Sequence, residues 1–481
     1  MSTRALAPRR APMLASGPTR SGRLGSGSRS QAMAPAGALA GLALVLSSSL
    51  MLVLAGAARP SAIAPILALG SPSWLTGPLG GAGSWIATSQ HTLQVDLTAG
   101  LAVMATGWLL VVAGAPRLSP RVLWGAIVAL HLIFLLGVPT ALTDAFNYLI
   151  YARMDVLHGL NPYVHDPVLA HLDPAYHFST WHHLHSPYGP LFTLITDAVV
   201  PLGLAGSYWA MKVLVVGSSL ACLGLIWTLA GHVGRSPQRA VVLVGLCPLT
   251  LYWGLGGFHN DVLFLLPVLA GAYAMTRGRD GWACAALVAA ASVKASAVLL
   301  LPLGLLAARD RRAALLGTVA AAVPIAGASL LAFGAHLPNI SEQSRLVIPL
   351  SPPNLVGLVT GQGGATAAVR ALAQAGLGVV FLGAAWLAWR RRSLLAAGGM
   401  VMIALLLSLG WDMPWYAGWL LPFAALTGSR SVRRAALVVT AFMLFSWAPF
   451  LRVDLQHGLG AGEFSTQVTR ANALYVNRLL D

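Results

Sequence analysis

Residues 281–307 read GWACAALVAAASVKASAVLLLPLGLLA, an apolar run interrupted near its middle by Lys294. A transmembrane helix needs about 20 such residues, so this run is too long for one comfortable crossing. An ammonium inside a membrane is costly unless it faces a cavity and finds an anion. The run therefore predicts a re-entrant hairpin or broken helix lining a protein cavity, where irregular backbone is tolerated.

The composition around it agrees. Of 481 residues, 57% are hydrophobic and only 9% charged, and the mean hydropathy is +0.73. A soluble chain of this length needs a charged surface that this one cannot supply. Strands of outer-membrane barrels alternate apolar and polar residues, whereas the apolar runs here are continuous. The expected fold is an all-α polytopic membrane protein with about 11–13 transmembrane helices, re-entrant or broken elements included. Cys222, Cys247 and Cys284 lie inside apolar runs without metal-ligand spacing and read as small buried hydrophobes.

The net charge of +16 suggests nucleic acid by count alone, but its distribution excludes it. Lys212 and Lys294 are the only lysines; the arginines fall in short clusters between apolar runs, as in cytoplasmic membrane loops. Residues 1–35, with six arginines among Ser, Gly and Pro and no acid, read as a disordered basic cytoplasmic tail. Residues 36–451 read as the multispanning domain, beginning with a retained helix over 36–57, and 452–481 as an external tail. Placing every arginine cluster inside requires that neither 188–205 nor 281–307 crosses fully. Asp280 and Asp310 then fall inside, while Asp144, Asp155, Asp166, Asp173, Asp261, Glu342 and Asp412 gather at the outer face. That asymmetry points to an external reaction centre.

Five constellations carry candidate chemistry. Asp144, four residues before Tyr148, sits at an outer helix end, where a carboxylate can take a proton from a hydroxyl or cap the next helix. The loop that follows holds Tyr163, then His182, His183, His185 and Tyr188; its imidazoles suit phosphate or sugar contact, a wet loop, or a metal, though no tight ligand pair is evident. Gly256-Gly257-Phe258-His259-Asn260-Asp261 sets three polar side chains at a turn between apolar runs, with Asp261 the rival base to Asp144. Lys294 can meet a lipid phosphate or pair with a nearby acid such as Asp197. Trp411, Asp412, Trp415 and Tyr416 can anchor the chain at the interface or stack on sugars.

The order of these motifs resembles the actinobacterial polyprenol-phosphate-mannose-dependent mannosyltransferases of the glycosyltransferase C superfamily. Asp144-x3-Tyr148, His158-Gly-Leu-Asn-Pro-Tyr163, Ser186-Pro-Tyr-Gly-Pro190, Gly257-x-His-Asn-Asp261, Val293-Lys294 and Pro414-Trp-Tyr416 fall as they do in that family, over about residues 120–430. Phe146 and Asn147 depart from the family's Asp-x-Tyr-Ser-Tyr, and the histidines between 165 and 185 are unusually dense. The resemblance implies a bundle with an outward-facing site in a bacterial plasma membrane. It implies inverting transfer of a sugar, mannose by preference, from a polyprenyl phosphate donor to a cell-envelope glycan or glycolipid. Asp144 would be the base, and Lys294, His259 and His185 the cationic neighbours of the phosphate. No nucleotide loop and no nucleic-acid partner is expected; no cofactor is demanded, and a divalent metal stays open. The competing reading is a polytopic transporter or lipid-linked sugar flippase, which also uses broken helices and intramembrane charge; a non-enzymatic envelope-assembly partner is a third.

The topology has a direct consequence. A cysteine placed within 165–185 should react with an impermeant thiol reagent added outside intact cells, and one at 390–392 should not. The reverse labelling pattern would overturn the outward-facing reading.

Overall fold

The computed structural model describes residues 27–58, 64, 67, 71–83, 85–86, 89–140 and 142–480. The expected tail lies outside them up to residue 26; from Gly27 the chain is already helical, and the apolar span begins at Ala36. No strand occurs among the described residues, and the chain is an all-α polytopic membrane protein.

Five helices are long and apolar enough to cross a membrane, at Ala36–Ala58, Thr92–Arg117, Pro190–His232, Arg311–Phe333 and Ala367–Arg391. Two bent pairs, Pro237–Gly245 with Leu249–Leu255 at 51° and Arg430–Ser446 with Pro449–Gly458 at 94°, bring the number up to seven. Five further apolar helices span only 10–17 residues. Those short segments account for the difference from the eleven to thirteen crossings expected from apolar runs. Close packing rests on small residues, as it must where lipid is as apolar as leucine. At the crossing of Gly27–Ala58 and Gln90–Gly114, a Cβ on Gly41 would lie 2.6 Å from the Gly107 carbonyl oxygen, and one on Gly107 2.7 Å from that of Gly41. The Arg311–Phe333 and Ala367–Arg391 helices keep most of their apolar surface outward, with Leu331, Val323, Leu372 and Val379 exposed.

Both elements expected to break are interrupted, although the first runs on within one apolar span, Pro190–His232, and does not turn back. The first starts at Pro190, tightens into a 3-10 turn over Val200–Leu202, and restarts at Gly203, whose φ of 72° admits no Cβ cheaply. The second rises as Asp280–Val293, passes through Lys294 in extended backbone (φ −146°, ψ 129°), and descends through Ala295–Leu299 and Leu300–Ala307. Its two ends meet. The Asp280 carboxylate accepts from the amides of Arg309 (2.8 Å) and Asp310 (2.7 Å). The segment therefore enters and returns on one side, with Lys294 at the apex. Arg392 donates to the Ala308 carbonyl beside the base of this hairpin.

The apex is held from outside by the loop before the Pro190 helix. The Gly189 amide donates to the Val293 carbonyl at 3.1 Å, and a Cβ on Gly189 would sit 2.2 Å from the Ser292 carbonyl oxygen. Residues 452–481, expected to form a tail, are largely helical, as Pro449–Gly458 and Gln467–Leu480. The second of these helices is strapped onto the apex side: Tyr475 donates to the Glu342 carbonyl and the His183 amide to that of Leu479.

Since the atom that a new Cβ would meet at Gly189 is backbone, Gly189→Ala should displace the apex and cost about 1–3 kcal/mol. Gly217, on a helix with open space around it, provides the comparison. In detergent, thermal unfolding of Gly189→Ala should begin well below the parent, while Gly217→Ala should match it. Equal melting of all three would refute the apex contact.

Candidate active site

The site is assembled where three turns meet. The first precedes the helix Ala145–His158. Its N-cap residue is Asp144, yet the carboxylate makes no capping bond. Thr143 takes that place: its hydroxyl accepts from the Ala145 amide and donates to the Gly257 carbonyl at 2.7 Å. Asp144 is thereby released toward Asn147, whose Nδ2 donates to Oδ1 at 3.3 Å, and toward His259, whose Nδ1 lies 3.4 Å from Oδ2. Burial pushes this carboxyl up, but the His259 contact and charge, then Lys294 and Asn147, outweigh it and hold it below its usual range.

The second turn is Gly256–Asp261. It follows a π-helical segment, Leu249–Leu255, a form concentrated at functional sites. The left-handed residue is Phe258, at φ 55°, not a glycine. The glycines serve close approach instead: a Cβ on Gly256 would lie 2.1 Å from Thr140 Oγ1, and one on Gly257 2.7 Å from His259 Nε2. His259 stacks on Trp415, with centroids 3.4 Å apart at 13°, and its Nε2 is 3.0 Å from the Leu142 carbonyl. A carbonyl only accepts, so Nε2 carries the hydrogen of that contact.

The third turn is the Lys294 apex. Lys294 Nζ donates to Asp261 Oδ1 at 2.8 Å and to Asn260 Oδ1 at 3.4 Å, and lies 5.1 and 5.2 Å from the ring centres of Tyr416 and Trp419. Trp419 donates to the same Asp261 oxygen. The counter-charge is thus Asp261 and not Asp197. Asp261 Oδ2 and Asn260 Nδ2 are buried without a partner. Tyr148 joins the turns: its hydroxyl accepts from the Asn260 amide at 3.0 Å, and its ring meets Tyr188 edge-on.

Above these groups opens a cleft of about 990 Å³, part of it open solvent. Asp144, Tyr188, Trp411, Trp415 and Tyr416 line it directly. Asp261, Asn260, His259 and Lys294 stand behind that wall. Two candidates lie elsewhere: Tyr163 bonds Thr193 and the Tyr188 carbonyl, and His185 pairs with Glu342 at 3.2 Å. The dense histidines separate. His183 faces Asp166, His182 stacks on Tyr176, and His158 joins Arg153 on Asp173. Among the described residues no three His, Cys, Asp or Glu side chains converge as metal ligands. Trp181, beside the histidines, also lines the cleft, as do Tyr151, Thr180, Gln343 and Leu480, which the sequence did not mark out. Tyr151, one turn beyond Asn147 on the Asp144 helix, was the one that helical spacing could have found.

Two family models match the chain. One, described as alpha-(1->6)-mannopyranosyltransferase, N-terminal domain, covers residues 47–309; the other, glycosyltransferase family 87, covers residues 187–446. The alpha-(1->6)-mannopyranosyltransferase A of Mycobacterium tuberculosis is 27% identical over 418 residues, 76% of this chain and 77% of that protein. A protein of the same description from Corynebacterium glutamicum is 26% identical over 282 residues, 50% of this chain and 54% of its own. A probable alpha-(1->6)-mannopyranosyltransferase of Mycolicibacterium smegmatis is 29% identical over 197 residues, 38% of this chain and 34% of its own. No solved structure matches the chain. The ranges of the two models overlap on 187–309, which holds both the His259 turn and the Lys294 apex.

Asp412 sits between two cleft residues but is buried itself, with Oδ1 unpartnered. Burial pushes its carboxyl well above the usual range; its own backbone amide and Arg452 oppose that without cancelling it. A raised folded pKa means that stability is full below the unfolded value of about 3.9 and is lost as pH rises toward the folded one. Asp412→Asn removes the titration and keeps the shape. Its melting temperature should fall less than the parent's between acid and neutral pH; parallel curves would show that Asp412 titrates alike in the folded and unfolded states.

Proposed function

We propose that this membrane mannosyltransferase, which belongs to the alpha-(1->6)-mannopyranosyltransferase family and to glycosyltransferase family 87, takes mannose from a polyprenyl phosphate and passes it to a mannoside glycan or glycolipid of the cell envelope. The observation that carries the reading is the pairing of an ionised Asp144 at the cleft with an ammonium fixed behind the same wall, at Lys294. The relatives' names supply the α-(1→6) linkage. An inverting displacement with an α product requires a β-linked donor.

In this reading the acceptor's primary hydroxyl enters the cleft beside Asp144. Its oxygen attacks the anomeric carbon, the carboxylate takes the hydroxyl proton, and the bond from the anomeric carbon to the phosphate oxygen breaks. The leaving group is a polyprenyl phosphate monoester that gains negative charge, and fixed cations stabilise it more than they stabilise the donor. Lys294, held behind the cleft wall by its Asp261 and Asn260 contacts, acts on that phosphate through its charge. Asp261, held by Lys294 and Trp419, is the positioning residue rather than the base. His259, clamped between Leu142 and Trp415, keeps Asp144 ionised. Trp411, Trp415 and Tyr416 offer ring faces to the sugar.

The outer leaflet of a bacterial plasma membrane, with the amino terminus inside, is the placement that the charges support. The Arg309, Arg311 and Arg312 cluster sits at the base of the Lys294 hairpin, and Asp144, Asp261 and Glu342 lie toward its apex.

The decisive assay is transfer from radiolabelled polyprenyl phosphate mannose to an alkyl mannoside by purified protein. Asp144→Asn should lower kcat about 10²–10⁴-fold, the usual worth of general-base catalysis, with donor KM little changed. Asp261→Asn should chiefly raise donor KM, because it loosens Lys294. If Asp144→Asn keeps near-normal turnover while Asp261→Asn loses it, the two roles must be exchanged.

A further inference from the structure

A second, half-open cavity, of about 650 Å³ with part of it open solvent, adjoins the cleft. Leu142, Trp411 and Met413 belong to both walls and so stand between the two spaces. Its far side is built from Arg452, Glu463, Asn472 and Asn477 of the carboxyl-terminal segment, whose last helix also reaches the cleft through Leu480. Asn472 Nδ2 is buried and has no partner. Arg452 lies over Trp447, its guanidinium carbon 4.3 Å from the ring centre.

The lining selects its ligand. Val347, Ile348, Pro349 and Val476 give one side an apolar face, but an alkyl chain would leave the guanidinium and the amides of the other side unpaired. An anion would be drawn to Arg452 but would confront Glu463, and a cation the converse. A neutral polyol satisfies both: Glu463 accepts from hydroxyls, Arg452 and the amides donate to them, and Trp411 offers a flat face to sugar C–H bonds. We propose that this cavity is the acceptor subsite, holding the mannose units that precede the attacking residue, so that a glycan crossing Trp411 presents its terminal hydroxyl to Asp144. The assignment rests on the mannosyltransferase reading above and adds where the acceptor lies and what reads its length.

The test uses the full chain in detergent, radiolabelled polyprenyl phosphate mannose, and two acceptors, octyl α-mannoside and octyl α-(1→6)-mannobioside. The parent should prefer the disaccharide. Glu463→Gln, which keeps shape, and Asn472→Leu should each raise the disaccharide KM about tenfold or more, leave donor KM unchanged, and erase the preference. Saturation-transfer NMR of the disaccharide on each protein reads the subsite without chemistry. Unchanged acceptor KM and undiminished NMR contact in both variants would overturn the subsite, as would a rise confined to donor KM. A parent that transfers nothing, yet binds the disaccharide in a manner lost in both variants, would overturn the donor reading and leave the subsite standing.

Discussion

An ammonium group set among apolar helices must be given a counter-charge or the helices will not close around it. Lys294 meets Asp261, and the rest of the site is arranged about that pair. Trp419 and Tyr416 cover it, Asn260 takes a second ammonium hydrogen, and Tyr148 ties the Asn260 backbone to the helix that begins after Asp144. The two carboxylates that looked interchangeable are separated by this one contact. Asp261 is occupied, and Asp144 keeps an edge on the cleft.

Backbone devices do as much as side chains to hold this geometry. A π-helical turn and a left-handed Phe258 aim His259 back at the Asp144 loop, and two glycines let that loop lie against the turn without a side chain between them. The loop before the Pro190 helix presses on the other flank of the apex through Gly189. Residues that touch no substrate thus fix the separation between the carboxylate and the cation. Catalytic constellations tolerate only small errors of this kind.

Much of this was legible in the order of residues. The length of the 281–307 run and its central lysine predicted a returning hairpin, and the meeting of Asp280 with the Arg309 and Asp310 amides is that return. Asp144 at a helix start was visible, but a capping and an uncommitted carboxylate look alike in sequence; only Thr143 taking the capping position shows that Asp144 is not the cap. The partner of Lys294 was not legible, since an acid 33 residues away is chosen by how helices cross and not by spacing. How the histidines disperse was not legible, because composition says nothing of it. Each has found a separate acid, carbonyl or ring. The carboxyl-terminal segment, polar and weakly patterned, read as a tail. Its helix is amphipathic, and the surface that orders it comes from loops distant in sequence.

The returning hairpin also constrains how the protein is made. Its two arms are too short to cross the bilayer, and the lysine at its tip resists entering lipid alone, by about 2.5–3.5 kcal/mol on insertion scales. The segment cannot be threaded as an ordinary hydrophobic span. Asp261 heads the helix synthesised just before it, so tip and counter-ion can be buried in one event. Trp419 and Tyr416 emerge more than a hundred residues later. During synthesis, therefore, the ion pair is seated first, and its aromatic cover closes over it only when the last third of the chain has entered the membrane.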